Sequence, residues 1–199
     1  VAALAQRGLE AEVAPLVRVP PASRRRAVLS AQRRGENIAL GYHAQRTHDL
    51  IDIEECPVLL PAIAGALPAL RAVAAALPAE RMRLTVLAAT AGLDVAVDAG
   101  KARVAGAAAA RLARIATANG IARLTVAGET ILQSAAPTLA IGGVETAVPP
   151  GVFVQAVAEA EQAMSRLVLD AAAGAKRVAD LFCGIGTFTF GLARTARVL

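Results

Sequence analysis

The chain has 199 residues, of which 56% are hydrophobic but only 3% aromatic, and it carries a formal net charge of +5. That length allows one large or two small domains with a core built mainly from Ala, Leu, Val and Ile. The charge favours a polyanionic partner only modestly. No run of about 18 strongly apolar residues occurs and no basic-then-apolar leader opens the chain, so the sequence predicts a cytoplasmic protein with no membrane span.

Two passes of strands followed by a helix are predicted over residues 1–150. After a helix end and an extended lead-in over 1–20, the first pass comprises strands 25–31, 36–44 and 48–53 and a helix 59–77 kinked at Pro68. The second comprises strands 83–88 and 93–98, a helix 104–118, and strands 121–127 and 138–141, the last extended by 144–148. This order predicts an α+β fold whose antiparallel or mixed sheet carries helices on one face.

The pattern changes after Pro149-Pro150-Gly151, which we interpret as a domain boundary. Beyond it we predict a helix over 155–173, a short buried strand over 178–182, a glycine turn and a helix entered at Thr187. One strand and one helix cannot cover both faces of a parallel sheet. Residues 151–199 are therefore expected to begin a Rossmann-like α/β domain of a longer protein.

The most informative stretch is Val178-Ala-Asp-Leu-Phe-Cys-Gly-Ile-Gly-Thr-Phe-Thr-Phe-Gly-Leu192. A strand, a Gly-x-Gly turn and a helix N-terminus leave backbone N–H groups bare for a ligand, and Asp180 can accept hydrogen bonds from a cationic or hydroxylated one. The alternative is an ordinary turn whose glycines serve packing alone. The full string resembles the first cofactor motif of the class I S-adenosylmethionine-dependent RNA (uracil-5)-methyltransferases, which form 5-methyluridine in ribosomal and transfer RNA.

This resemblance implies S-adenosyl-L-methionine as cofactor and extends to Phe153-Val154-Gln155, which is similar to the family's Phe-x-Gln element. There the glutamine contacts the methionine part of the cofactor, and the aromatic ring lies near the target base, where an extruded uracil can stack. Val157 stands where the family usually has Asn. The alternative is that Phe153 is a core anchor and Gln155 a helix-start residue. The cofactor-binding residues implied by the resemblance are Gln155, Asp180, Phe182, Gly184 and Gly186.

Cys56 lies in Asp52-Ile-Glu-Glu-Cys-Pro-Val58, which resembles the family segment whose cysteine is the fourth ligand of a [4Fe–4S] cluster. One thiolate cannot hold such a cluster, which takes about four ligands. Cys56 in this chain alone is therefore expected to be a free or buried thiol. In the full-length protein the resemblance implies that it is a cluster ligand, with the other three preceding residue 1.

The nucleophilic cysteine of the family is not Cys183, which lies in the cofactor turn. The family's nucleophile and its glutamate base belong to later segments that these 199 residues do not contain. Both groups are needed, because carbon 5 of uracil reacts only after a thiolate has added at carbon 6 and a base must then remove the carbon 5 proton. We therefore predict no catalytic residue in this chain, and no activity for the chain alone.

Arginines supply the predicted RNA contacts. Ser23-Arg24-Arg25-Arg26 resembles the family's Arg-rich strand, and on a strand Arg24 and Arg26 share one face while Arg25 takes the other. Arg24, Arg26 and Arg46 are predicted to contact RNA phosphates, with Phe153 at the base. The alternative is a solvated edge strand protected by its charge against aggregation. His43 and His48 form no metal-ligand grouping and are interpreted as surface or hydrogen-bonded residues.

Together these features predict part of an RNA methyltransferase, with a central RNA-recognition domain over 1–150 and the first part of the methyltransferase domain over 151–199. The substrate would be carbon 5 of a uridine in RNA, with ribosomal RNA favoured over transfer RNA. Two alternatives stay open: a class I methyltransferase acting on a non-RNA substrate, and a non-catalytic RNA-binding module. The oligomeric state is not predicted.

Overall fold

The computed structural model describes residues 2–10 and 12–199. Val1, which belongs to the helix end predicted at the N-terminus, lies outside the described residues. In chain order the elements are α1 (Ala2–Ala5), β1 (Arg26–Arg34), β2 (Asn37–His43), β3 (Leu50–Asp52), α2 (Pro61–Gly65), α3 (Leu67–Ala75), β4 (Arg81–Ala89), β5 (Gly92–Asp98), α4 (Gly106–Ala118), β6 (Ile121–Val126), β7 (Glu129–Gln133), β8 (Thr138–Ile141), β9 (Val144–Ala147), α5 (Ala158–Ala171), β10 (Arg177–Val178), α6 (Thr189–Leu192) and β11 (Arg197–Val198).

A seven-stranded mixed sheet in the order β3-β2-β1-β4-β5-β6-β7 forms the body of the molecule. Neighbouring strands are antiparallel except β5 and β6, which are parallel. A parallel pair needs a long crossover, and α4 supplies it between these two strands. Both predicted passes thus contribute strands to one sheet, and the expected mixed sheet is confirmed. The strand predicted over 138–141 is the exception, since it lies in a separate two-stranded sheet as β8.

Helices α2, α3 and α4 pack on one face of this sheet, where the main core lies. Strand β4 shows how the sequence divides the two faces. Met82, Leu84 and Val86 are buried beneath the helices, whereas Arg83 and Thr85, which alternate with them, point to the opposite face and keep contact with solvent. That opposite face is polar over much of its area.

Helix 59–77 is interrupted rather than kinked. It divides at Ala66 into α2 and α3, and Pro68 stands in the first turn of α3, where its missing N–H costs no hydrogen bond. Residues 144–148 do not extend β8 as predicted. Gly142 and Gly143 both have positive φ and reverse the chain, so that β9 pairs antiparallel with β8. Strand β7 was not predicted, because its edge position leaves it no buried residue.

The predicted buried strand over 178–182 is wrong in both length and burial. β10 ends at Val178 and pairs in parallel with β11, whereas Leu181 is 77% exposed and the Phe182 side chain is fully exposed. A parallel strand is buried only when layers cover both of its faces. Among the described residues, β11 is the one strand paired with β10. The following helix, α6, begins at Thr189 rather than Thr187.

Among the described residues, no helix is both long enough and apolar enough to span a bilayer.

Candidate cofactor and nucleic-acid site

The glycine turn combines one packed and one open position. Gly186 has φ +86°, and a Cβ added there would lie 2.6 Å from the ring of Phe190. Gly184 also has positive φ, at +60°, but a Cβ there would meet nothing within 4 Å. The alternative that the glycines serve packing therefore applies to Gly186. At Gly184 the backbone is bare, and a ligand could approach it.

Asp180 closes this turn against the helix that follows it. Its Oδ2 accepts a hydrogen bond from Oγ1 of Thr189, and its main-chain N–H donates to the carbonyl of Leu199 at 3.0 Å. The side chain is half-buried, while Phe182 and Cys183 beyond it are exposed. The turn therefore presents a hydrogen-bond acceptor, the Asp180 carboxylate, beside open backbone, and this combination fits a cationic, hydroxylated ligand such as S-adenosyl-L-methionine.

The Phe153-Val154-Gln155 segment alternates in burial. Phe153 is 65% exposed, Val154 is buried at 1%, and Gln155 is half-buried. Val154 belongs to a second apolar cluster that also contains Leu87 and Ile141. The core-anchor alternative therefore describes Val154, its neighbour, and not Phe153. The exposed ring is free to stack on a planar partner.

The arginine run lies against this segment. The guanidinium carbon of Arg26 is 5.3 Å from the Phe153 ring centroid, and its Nε donates to the carbonyl of Val152 at 3.2 Å. Burial, and then the charge of Arg24, lower the pKa of Arg26 from its ordinary value. Arg24 itself is exposed, and its Nε donates to the carbonyl of Arg26. The RNA contacts of Arg24 and Arg26 stay predictions. The structure does show that the guanidinium of Arg26 packs over the Phe153 ring.

Arg25 is the member of the run that the sequence analysis left without a role. The predicted alternation places it opposite Arg24 and Arg26, and it is buried at 8% exposure. Its Nη2 donates to Oε2 of Glu161 at 2.7 Å, forming a buried ion pair with the first turn of α5. Alternation alone could indicate that Arg25 is buried, but not which distant residue it meets.

A second buried ion pair also escaped the sequence analysis. Arg123 donates from Nε and Nη2 to the two carboxylate oxygens of Asp94, at 2.8 and 2.9 Å, and from Nη2 to the carbonyl of Val148 at 2.6 Å. Asp94 and Arg123 face each other on the parallel strands β5 and β6. The pair thereby connects β5 and β6 to the chain just before Pro149.

The polar face of the sheet carries a cavity of about 510 Å³. Its lining includes five basic or imidazole side chains and two carboxylates, namely Arg34, His43, His48, Arg81, Arg83, Asp49 and Asp98. Nδ1 of His43 lies 3.1 Å from the carbonyl of His48. Arg46 lies outside this lining, in the exposed turn between β2 and β3. The three arginines make this polar surface the basic face of the sheet.

Cys56 is a free, half-buried thiol packed against the main core. Among the residues that the structure describes, the buried hydroxyl of the nearby Tyr42 has no hydrogen-bond partner. Burial, followed by the charge of Cys56, raises the pKa of Tyr42. Over residues 2–10 and 12–199, no group of three or more His, Cys, Asp or Glu side chains could hold a metal ion. One thiolate does not fit a cluster that takes about four ligands.

No family model matches the chain, but curated proteins named as RNA methyltransferases are similar to it. An uncharacterized RNA methyltransferase of Caulobacter vibrioides is 43% identical over 203 residues, which are 98% of this chain and 49% of the relative. One of Rhizobium meliloti is 41% identical over 198 residues, 98% of this chain and 48% of the relative. The chain is a homologue of RNA methyltransferases. The chain spans about half the length of the curated relatives that it matches.

Two further matches are a relative whose name specifies the methylated base and a solved structure with a similar fold. The 23S rRNA (uracil(1939)-C(5))-methyltransferase RlmD of Aeromonas hydrophila is 30% identical over 203 residues, covering 86% of this chain and 41% of the relative. The structure of Pyrococcus abyssi tRNA (uracil-54, C5)-methyltransferase in complex with S-adenosyl-L-homocysteine matches with a TM-score of 0.68 at 18% identity, over 97% of this chain and 51% of that one. The predicted resemblance and the α/β fold class are thereby confirmed.

Proposed function

We propose that the protein containing this chain transfers a methyl group from S-adenosyl-L-methionine to carbon 5 of a uridine in RNA. The observation that carries the proposal is the exposed ring of Phe153, which contacts Arg26 and lies two residues before Gln155. An aromatic ring held in solvent suits an unstacked base, because stacking replaces what the base loses when it leaves its helix. The relatives that methylate uracil at carbon 5 support the choice of base.

The cofactor-binding residues of this proposal are Gln155, Asp180, Phe182, Gly184 and Gly186. When bound, S-adenosyl-L-methionine supplies an electrophilic methyl group on its sulfonium. Gln155 would hold the methionine part, and the Asp180 carboxylate would accept hydrogen bonds from the ligand. The open backbone at Gly184 supports this assignment, since a larger residue there would occupy the approach.

RNA is the proposed partner, with ribosomal RNA favoured over transfer RNA. Phe153 would meet the target base, and Arg24, Arg26 and Arg46 would contact phosphates together with the basic face of the sheet. Such contacts bind without regard to sequence and weaken as salt concentration rises. A 1–150 RNA-recognition domain followed by a 151–199 methyltransferase segment is part of the same proposal, as are a cytoplasmic location and a role in rRNA processing.

The covalent steps need a thiolate that adds at carbon 6 of uracil and a base that removes the carbon 5 proton. In this proposal both groups belong to the longer protein. The residues of this chain bind and orient the cofactor and the RNA.

We also propose that Cys56 ligates a [4Fe–4S] cluster in the longer protein, although this chain by itself supplies one thiolate. Its free and half-buried state supports the proposal. Iron analysis and the visible absorption spectrum of the intact protein, prepared without oxygen, would test it. Loss of iron in Cys56→Ser is expected, and equal iron content in the variant and the wild type would contradict the assignment.

The experiment that tests the main proposal is methyl transfer by the intact protein to ribosomal RNA, followed by digestion and mass spectrometry of the nucleosides. With a ¹³C-labelled methyl donor, the expected product is labelled 5-methyluridine. Phe153→Ala should lower its yield far more than Leu167→Ala, which removes an apolar side chain of similar exposure (66%) on α5. Label on a ribose or on an exocyclic amine would contradict the proposal.

A further inference from the structure

Arg25 holds the segment around Gln155 through both its main chain and its side chain. Its Nε donates to the main-chain carbonyl of Gln155 at 3.2 Å, and its main-chain N–H donates to the carbonyl of Ala156 at 2.7 Å. Its Nη2 donates to Glu161 at 2.7 Å. Arg25, which directly precedes β1, thus forms hydrogen bonds with both the loop at Gln155 and the first turn of α5.

The ion pair is almost excluded from solvent, with side-chain exposures of 10% for Arg25 and 8% for Glu161. A buried guanidinium is stable only when acceptors satisfy its donors. Because the guanidinium is a rigid plane, two acceptors bound by different nitrogens of it are fixed in distance and direction. The carbonyl of Gln155 and the carboxylate of Glu161 are therefore held in one geometry.

Regular secondary structure does not fix this segment, since residues 152–156 belong to no helix or strand. On one side Val154 anchors it in the second apolar cluster. On the other side the anchor is Arg25, whose own carbonyl accepts the N–H of Ala88 at 2.8 Å and so ties it to β4. The orientation of the Gln155 side chain depends on both anchors.

We propose that Arg25, paired with Glu161, is a positioning residue of the cofactor site, which fixes the main chain of Gln155 so that its side-chain amide meets the cofactor. This inference rests on the proposed function, in which Gln155 contacts the methionine part of S-adenosyl-L-methionine. The position of the cofactor-binding segment is then set relative to β1, the strand that follows Arg25 and contributes to the basic face of the sheet.

The test is the Kd for S-adenosyl-L-methionine, measured by calorimetry on the intact protein. The principal variant combines Arg25→Met with Glu161→Leu, because replacing both charges by apolar side chains of similar volume avoids an unpaired buried charge. We expect its Kd to rise by about ten-fold, the equivalent of one lost hydrogen bond to a charged group. The KM for RNA should not change. Arg25→Lys should not restore affinity, because an ammonium lacks the planar fork.

A matched control is Arg33→Met, at the other end of the same strand. There Nη2 of Arg33 donates to the main-chain carbonyls of Ala75 and Leu77, at 3.3 and 2.8 Å, far along β1 from Gln155. The control removes an arginine that also bonds backbone carbonyls. It should lower the unfolding temperature without changing the Kd for the cofactor.

The outcomes separate this inference from the function on which it rests. A folded double variant with the wild-type Kd overturns the positioning role, as does one that weakens cofactor and RNA binding equally. If the double variant does not fold, Arg25→Lys decides by the same comparison of Kd. A wild-type protein that does not bind the cofactor contradicts the proposed function instead, and wild-type affinity in Gln155→Ala contradicts the assignment of Gln155.

Discussion

The buried pair of Asp94 and Arg123 gives the sharpest prediction about stability. Replacing Asp94 by Leu leaves the Arg123 guanidinium buried, with the carbonyl of Val148 as its remaining acceptor among the three bonds described. The side-chain exposures of Arg123 and Asp94 are 9% and 3%, so water cannot replace the lost partner. Removing one member of such a pair costs about 3–5 kcal/mol.

The double variant, Asp94→Leu with Arg123→Met, should be less harmful than the single one. It removes the unpaired charge and leaves the carbonyl of Val148 without a donor, which costs about 1–3 kcal/mol. The assay is urea denaturation of the intact protein, followed by circular dichroism, with Glu36→Gln in the exposed β1–β2 turn as a control expected to stay within about 0.5 kcal/mol of the wild type. A double variant at least as unstable as Asp94→Leu would refute the reasoning, because the cost would then not come from an uncompensated charge.

Two other changes have effects that follow from local geometry. Burial opposes ionisation of Asp52, but hydrogen bonds from the N–H of Leu40 and the guanidinium of Arg71 outweigh burial and lower the pKa of Asp52. The Asp52 carboxylate therefore stabilises the fold fully above about pH 3.9, the ordinary pKa of Asp. This stabilisation is lost as the pH falls through the lowered pKa. Asp52→Asn should reduce this acid-induced loss by less than about 1 kcal/mol, because the side chain is 46% exposed, and an unchanged pH profile in thermal unfolding would contradict it. Gly186→Ala should lower the unfolding temperature more than Gly184→Ala, since only the former brings a methyl group against Phe190; equal losses would count against this packing.

Local patterns predicted β1 and β4 because these two strands bury every second residue over most of their length. Alternation in β1 and β4 is regular, and the burial of Arg25 opposite Arg24 and Arg26 follows from the same period. The order of seven strands could not be predicted, since it depends on pairing between distant segments. Strand β7 has no buried face, so no pattern marked it.

The error over residues 178–182 has a different cause. The apolar letters there do form the pattern of a buried strand, but burial is a property of the layers around a strand. Likewise, a motif in the sequence predicts roles for Phe153 and Gln155, but the sequence could not show that Arg25 meets Glu161, which is 136 positions away. Partners at such separation are fixed by tertiary packing and carry no local signal.

The most direct test of the central claim follows the hydrogen on carbon 5 of uridine. Ribosomal RNA transcribed with [5-³H]uridine is incubated with the intact protein and S-adenosyl-L-methionine, and the tritium released to water is counted beside the methyl groups gained by the RNA. Methylation at carbon 5 must expel that hydrogen, so we predict one tritium released for each methyl group transferred. Methyl incorporation with the tritium retained would contradict the account.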